Sequence, residues 1–266
     1  MRQNILQSLR SPLMPSVLEE LLFFDTYSNK VLRNIFSSVN TNGFINNALY
    51  INDMSLKPLE DVIDFGSHND FFKKNNSNDR DQIIKILDIF TYLQPQILLI
   101  LAALLESFHN DFVGGKGDNL MRKDLNEEIL NKNYKLSFCK KDNFDLLESF
   151  KTVFKSTIIP DLYLSLSNYN EYLDYAWLQL QHLSSFPEVR QRSRGLYYYA
   201  VSSSKFLAYP FYGSIDRCLS LGINKIDLEK IEVIVKENLS MYSSMIMHCS
   251  AMRIGLGLNQ KKVVKG

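Results

Sequence analysis

Apolar residues along this chain recur with helical spacing far more often than with the alternation of a strand. In NDRDQIIKILDIFTYL, Ile83, Ile86, Leu87 and Phe90 fall on one helical face, with Asn78 and Asp79 as candidate caps. The stretch that follows, YLQPQILLILAALLESFHNDFVGGKG, carries an unbroken apolar run from Ile97 to Leu105. Pro95 bends or restarts the helix, and the glycines after Val113 end it. A helix apolar on every side is buried on every side, so this segment predicts the centre of a core. Its nine residues fall well short of the roughly 20 needed to cross a bilayer. The closing VGGKG lacks the spacing of a phosphate loop, and Lys116 is followed by Gly117 where a phosphate loop has Ser or Thr.

The remaining periods are helical too. SPLMPSVLEELLFF, KPLEDVIDFG, NFDLLESFKTVFKST and EYLDYAWLQLQHL are each bounded by Pro, Gly, Asn or Asp. DLEKIEVIVKENLSMYSSMIMHCSAMRIGLGL starts on Asp227 as cap, contains no proline and closes on Gly255 and Gly257, which predicts one long helix or two joined. Lys73 to Asn78 and Gly114 to Asp118 are expected loops, and NQKKVVKG a frayed basic tail. Strand-length alternation is scarce, so the fold class is all-α.

Composition removes several functions. Thirty Lys and Arg against 29 Asp and Glu leave a net charge of +1, which offers no footprint for a nucleic acid backbone. Cys139, Cys218 and Cys249 are scattered and odd in number, which fits a reducing, cytoplasmic setting and no zinc site. Early polar and proline residues interrupt any signal-peptide stretch, so neither export nor a membrane is expected. His68, His109, His182 and His248 lack metal spacing, and Cys249 beside His248 lacks a second cysteine. No metal or cofactor is expected.

Sliding the chain against itself by 145 positions places Pro15, Phe24, Asp25 and Tyr27 on Pro160, Tyr169, Asn170 and Tyr172. Lys85, Ile86 and Ile89 fall on Lys230, Ile231 and Ile234 at the same offset. The reading is two tandem helical repeats, residues 1–118 and 146–260, joined by a linker region 119–145 and followed by a tail 261–266. Unrelated helices sharing one period are the bland alternative. As repeats, the halves form a pseudo-dimer, with Gln94 facing Leu239 and a small-molecule cleft between them. A homodimer of the whole chain stays open.

LRSP at Leu9 to Pro12 with Phe24 and Tyr27, FTYLQPQILLILAALLES at Phe90 to Ser107, Val113 to Gly115, and YNEYLDYAW at Tyr169 to Trp177 together resemble the group I 2-haloacid dehalogenases, the DehI-like family. The resemblance runs through both halves. It implies an all-helical pair of repeats that hydrolyses 2-haloalkanoic acids with inversion at carbon 2. An Asp activates water directly, and no ester forms on the enzyme.

Carried over residue by residue, the resemblance assigns the catalytic positions to Asp161 and Gln94. Asp161 in IIPDLYLSLSNY would be the general base, one residue before the place that Tyr169 fixes, where Leu162 stands. Gln94 before Pro95 replaces the family's water-orienting Asn, and Leu13 and Ser16 stand where the family has aromatic residues. Tyr92, Ile97 and Met241 complete the expected substrate-binding set. Read without the resemblance, Asp161 is equally a helix-start residue and Gln94 a helix-end residue. The alternative function is a catalytically altered relative that binds another small molecule.

Overall fold

In the computed structural model, helices begin at Ser16, Asp25, Asn42 and Arg80, and again at Asp161, Asn170, Pro187 and Lys225, each 145 residues further on. The residues described are 1–64, 66–75, 78–122, 144–154, 156 and 158–258. Among them every regular element is a helix, and the only β pairings are two isolated bridges, Thr41 with Met121 and Val113 with Phe211. Residues 123–143 of the expected linker 119–145, Cys139 among them, and the tail 261–266 lie outside the described residues.

Local chemistry explains the recurring starts. Pro15 and Pro160 precede their helices with φ −62° and ψ of 131° and 139°. A proline holds φ near that value at no further cost and has no N–H to lose. Its carbonyl then receives the first helical bonds, from Glu19 in one helix (3.0 Å) and from Leu164 in the other (3.1 Å).

Four expectations change. The long final helix runs unbroken from Lys225 to Gly255. Its cap is Asn224, whose Oδ1 accepts from the Asp227 N–H at 2.7 Å while its amide donates to the Asp227 carboxylate at 2.6 Å. KPLEDVIDFG is not an α-helix: Lys57–Leu59 is a 3₁₀ turn, followed by turns that end at Gly66 with φ +76°. Residues 73–75, expected in a loop, belong to the helix Asn69–Asn75.

Pro95 neither stops nor restarts its helix, which spans Arg80–Phe108. A proline cannot donate to the carbonyl four residues back, which strands the Thr91 carbonyl. The Asn52 side chain supplies the missing donor at 2.6 Å. Residues Ile97 to Leu105 are all buried. Among the described residues this helix is long and apolar enough to cross a membrane, yet 89% of its most apolar window lies inside the protein.

The chain forms two compact units. The first takes Met1–Ile51, Tyr92–Leu136 and Arg194–Ser243. In it Val113 and Phe211 exchange backbone hydrogen bonds of 2.9 and 2.7 Å, and the Gly115 N–H reaches the Leu207 carbonyl at 2.8 Å. Gly114 has φ +88°, and a Cβ there would stand 2.7 Å from the Leu207 Cβ. Val-Gly-Gly therefore serves a close backbone approach.

The second unit takes Asn52–Thr91, Ser137–Ser193 and Ser244–Gly266. Its core is aromatic: Phe150 stacks on Tyr163 with centroids 4.1 Å apart, and Trp177 meets Phe150 edge-on at 4.5 Å. Each such pair adds roughly 0.5–1.5 kcal/mol beyond its buried area.

Candidate active site

Gln94 sits within the Arg80–Phe108 helix and is only 2% exposed. Its Oε1 is buried and accepts no hydrogen bond from the described residues. A buried acceptor without a partner costs about 1–3 kcal/mol, so an amide kept this way in an apolar helix is conspicuous. Ile97, three residues on, lies near it on the helix surface and is fully buried.

Asp161 is the first residue of the short helix Asp161–Leu166 and is 8% exposed. Its backbone carbonyl accepts from Ser165 Oγ at 2.7 Å. A carboxylate at a helix start gains from the exposed N–H groups there. Leu162, beside it, is fully buried.

Leu13, Ser16, Tyr92, Gln94, Ile97 and Met241 belong to the first unit, and Asp161 to the second. Leu13 and Met241 are buried and Ser16 is half-buried. The Ser11 hydroxyl holds the turn at Leu13, donating to its carbonyl at 2.7 Å and accepting from its N–H at 3.2 Å. Tyr92 is buried, but at about 100° per residue it lies roughly 200° around the helix from Gln94.

The Tyr92 hydroxyl accepts from a residue that the sequence did not single out, Arg122. The Arg122 guanidinium also donates to the Ser8 carbonyl and to Gln96 Oε1, both at 3.1 Å. Its carbon lies 5.4 Å from the Tyr92 ring centroid. Burial, and then the charge of Arg10, pull the Arg122 pKa down to about 10. Nothing in MRKDLNEE distinguishes this arginine from an exposed one, so its burial had no signal in the sequence.

Two Tyr–His pairs in the second unit were equally hidden. The Tyr163 hydroxyl and His248 Nδ1 are 2.7 Å apart, and the Tyr172 hydroxyl and His68 Nδ1 3.0 Å. Burial pushes His248 down to about 3. It pushes His68 down to about 4, against a hydrogen bond to the Gln179 Oε1 that favours the charged ring. Both imidazoles are therefore neutral at ordinary pH. Burial raises the Cys249 thiol to about 11, which leaves it a poor nucleophile. Among the described residues no three His, Cys, Asp or Glu side chains group to hold a metal ion.

Among the described residues every regular element is a helix, with a buried amide at Gln94 in the first unit and a buried carboxylate at Asp161 in the second. No family model and no curated protein matches the chain. Solved structures do: a D-2-haloacid dehalogenase mutant in complex with D-2-CPA and the enzyme with L-LA each superpose with a TM-score of 0.85 at 16% identity, over 96% of this chain and 89% of theirs. A further D-2-haloacid dehalogenase mutant gives 0.86 over 95% of this chain. The chain thus has the all-α fold of the D-2-haloacid dehalogenases, and the likeness drawn from LRSP, the proline-bearing helix and Val-Gly-Gly holds at the level of the fold.

Proposed function

We propose that the protein is a hydrolase of the 2-haloacid dehalogenase type, with Asp161 as general base and Gln94 holding the attacking water. The observation that carries this reading is the Gln94 Oε1, buried and without a protein donor. A water molecule would satisfy it and be oriented by it. The solved dehalogenases of the same fold, one with D-2-CPA and one with L-LA, support a small 2-substituted carboxylic acid as substrate.

In this mechanism Asp161 takes a proton from the water as its oxygen attacks carbon 2 from the face opposite the halogen. The carbon–oxygen bond forms as the carbon–halogen bond breaks, and the halide leaves with the electron pair. The product is the 2-hydroxy acid of inverted configuration. The apolar walls from Leu13, Ile97 and Met241 strip water from the nucleophile and strengthen the field of the carboxylate. The helix starts that recur 145 residues apart support reading the chain as a duplicated half.

The test is chloride release from both enantiomers of 2-chloropropionate. Wild type should release chloride, and Asp161→Asn should not, since an amide accepts no proton. Gln94→Ala should retain a fraction of the rate. No release from wild type on either enantiomer or on longer 2-chloroalkanoates would remove the hydrolase reading and leave the altered-ligand one.

A further inference from the structure

A second feature of the first unit is unrelated to this chemistry. Beside the Arg2–Leu9 helix lies a cavity of about 560 Å3, a volume typical of small-molecule sites. Two arginines line it, Arg10 and Arg33, and no acidic side chain does. Asn4, Asn29 and Ser37 supply further donors, while the Asn40 amide donates to Ser8 Oγ and to the Phe36 carbonyl, both at 3.0 Å. The Arg33 guanidinium has no ion pair or hydrogen bond among the described residues, and the same holds for the side chains of Asn4, Asn29 and Ser37.

Arg10 belongs to the LRSP stretch, and its backbone is held at φ +48°, the left-handed region that L residues other than Asn and Asp seldom adopt. Its guanidinium donates to the Arg122 carbonyl at 3.4 Å. The Arg122 N–H in turn donates to the carbonyl of Asn40 at 3.0 Å. Positive charge is therefore crowded on this side of the unit, and Arg10 is one of the causes that lower the Arg122 pKa.

We propose that this cavity binds a small phosphate ester, its phosphate held by Arg33 and Arg10 with the amides of Asn4 and Asn29, and its body filling the remaining volume beside Met1. Arginine presents a planar fork that meets two phosphate oxygens at once. A phosphate has three acceptor oxygens for this many donors, where a carboxylate has two. Phosphate alone fills only part of such a volume, which leaves room for the rest of an ester beside the half-buried Met1.

The test is calorimetric titration of the full chain at low salt with AMP, inorganic phosphate and citrate. AMP should bind once per chain, more tightly than phosphate. Arg33→Gln, at an exposed position, should weaken AMP by about tenfold or more. Arg10→Asn, which tolerates the left-handed backbone, should weaken it comparably. Chloride release from 2-chloropropionate should be unchanged in Arg33→Gln, so the two readings fail independently. Absence of saturable binding in wild type, or equal affinity in Arg33→Gln, would overturn the site. Citrate binding more tightly than both phosphates would overturn its assignment to a phosphate ester.

Discussion

The two long helices, Arg80–Phe108 and Lys225–Gly255, start 145 residues apart and have 29 and 31 residues, yet they do different work. The first carries no charged residue from Ile89 to Leu105, and holds a proline and an unsatisfied amide oxygen. The second keeps Ser240 where the first has Pro95 and Leu239 where it has Gln94. Its early turns are studded with Glu229, Lys230, Glu232, Lys236 and Glu237, and it carries the buried His248 where the first has Ala103. One backbone element thus serves as an apolar wall with a polar defect, and again as a helix whose first turns are charged and whose second half is buried around His248. Defects kept in an otherwise regular helix are the better guide to function.

Core truncation should separate the helices most. Leu98→Ala in the first, at a fully buried position, should lower the unfolding free energy in urea by about 2–5 kcal/mol. A loss below about 1 kcal/mol would mean the apolar run is not the packed centre described.

Acid should act through two buried histidines, His248 on the second helix and His68 in the turn before the helix Asn69–Asn75. His248 and His68 are held at about 3 and 4, below the ordinary 6.5, so between those values the unfolded chain binds more protons than the folded one. Their contribution is complete above pH 6.5 and is lost as pH falls, on the order of a few kcal/mol by pH 4. His248→Gln, which keeps a hydrogen-bond partner for Tyr163, should flatten that acid limb. An unchanged limb would contradict the buried neutral imidazole.

The proline defect gives a smaller, sharper effect. Asn52→Ala should cost about 1–2 kcal/mol by stranding the Thr91 carbonyl. In a Pro95→Ala background, where residue 95 regains its N–H, the same substitution should cost clearly less, and a double-mutant cycle measures the difference. Lys236→Ala, on the exposed face of the second helix with Glu232 at 2.6 Å, should change stability by less than about 0.5 kcal/mol.

The helices were legible because apolar spacing and proline, glycine and asparagine boundaries act locally. The misreading of KPLEDVIDFG has the same root. Leu59, Val62 and Ile63 are spaced as on a helix, and the Val62 and Ile63 N–H groups do bond the Leu59 carbonyl, but the turn is not continued. The long-range polar contacts were not legible. Tyr163 and His248 are 85 residues apart, and Asn52 and Thr91 39, so only tertiary packing brings them together. Gln94 and Asp161 were reached through the resemblance; their burial, and the unpartnered amide oxygen of Gln94, came with the structure.

The central claim is that water, activated by Asp161, attacks the substrate directly. Single-turnover hydrolysis of 2-chloropropionate in oxygen-18 water, with enzyme in excess, tests it most directly. The account predicts one label in the lactate formed and none in the protein. Label on a carboxylate of the protein, with unlabelled lactate, would contradict it, because that pattern requires an ester intermediate.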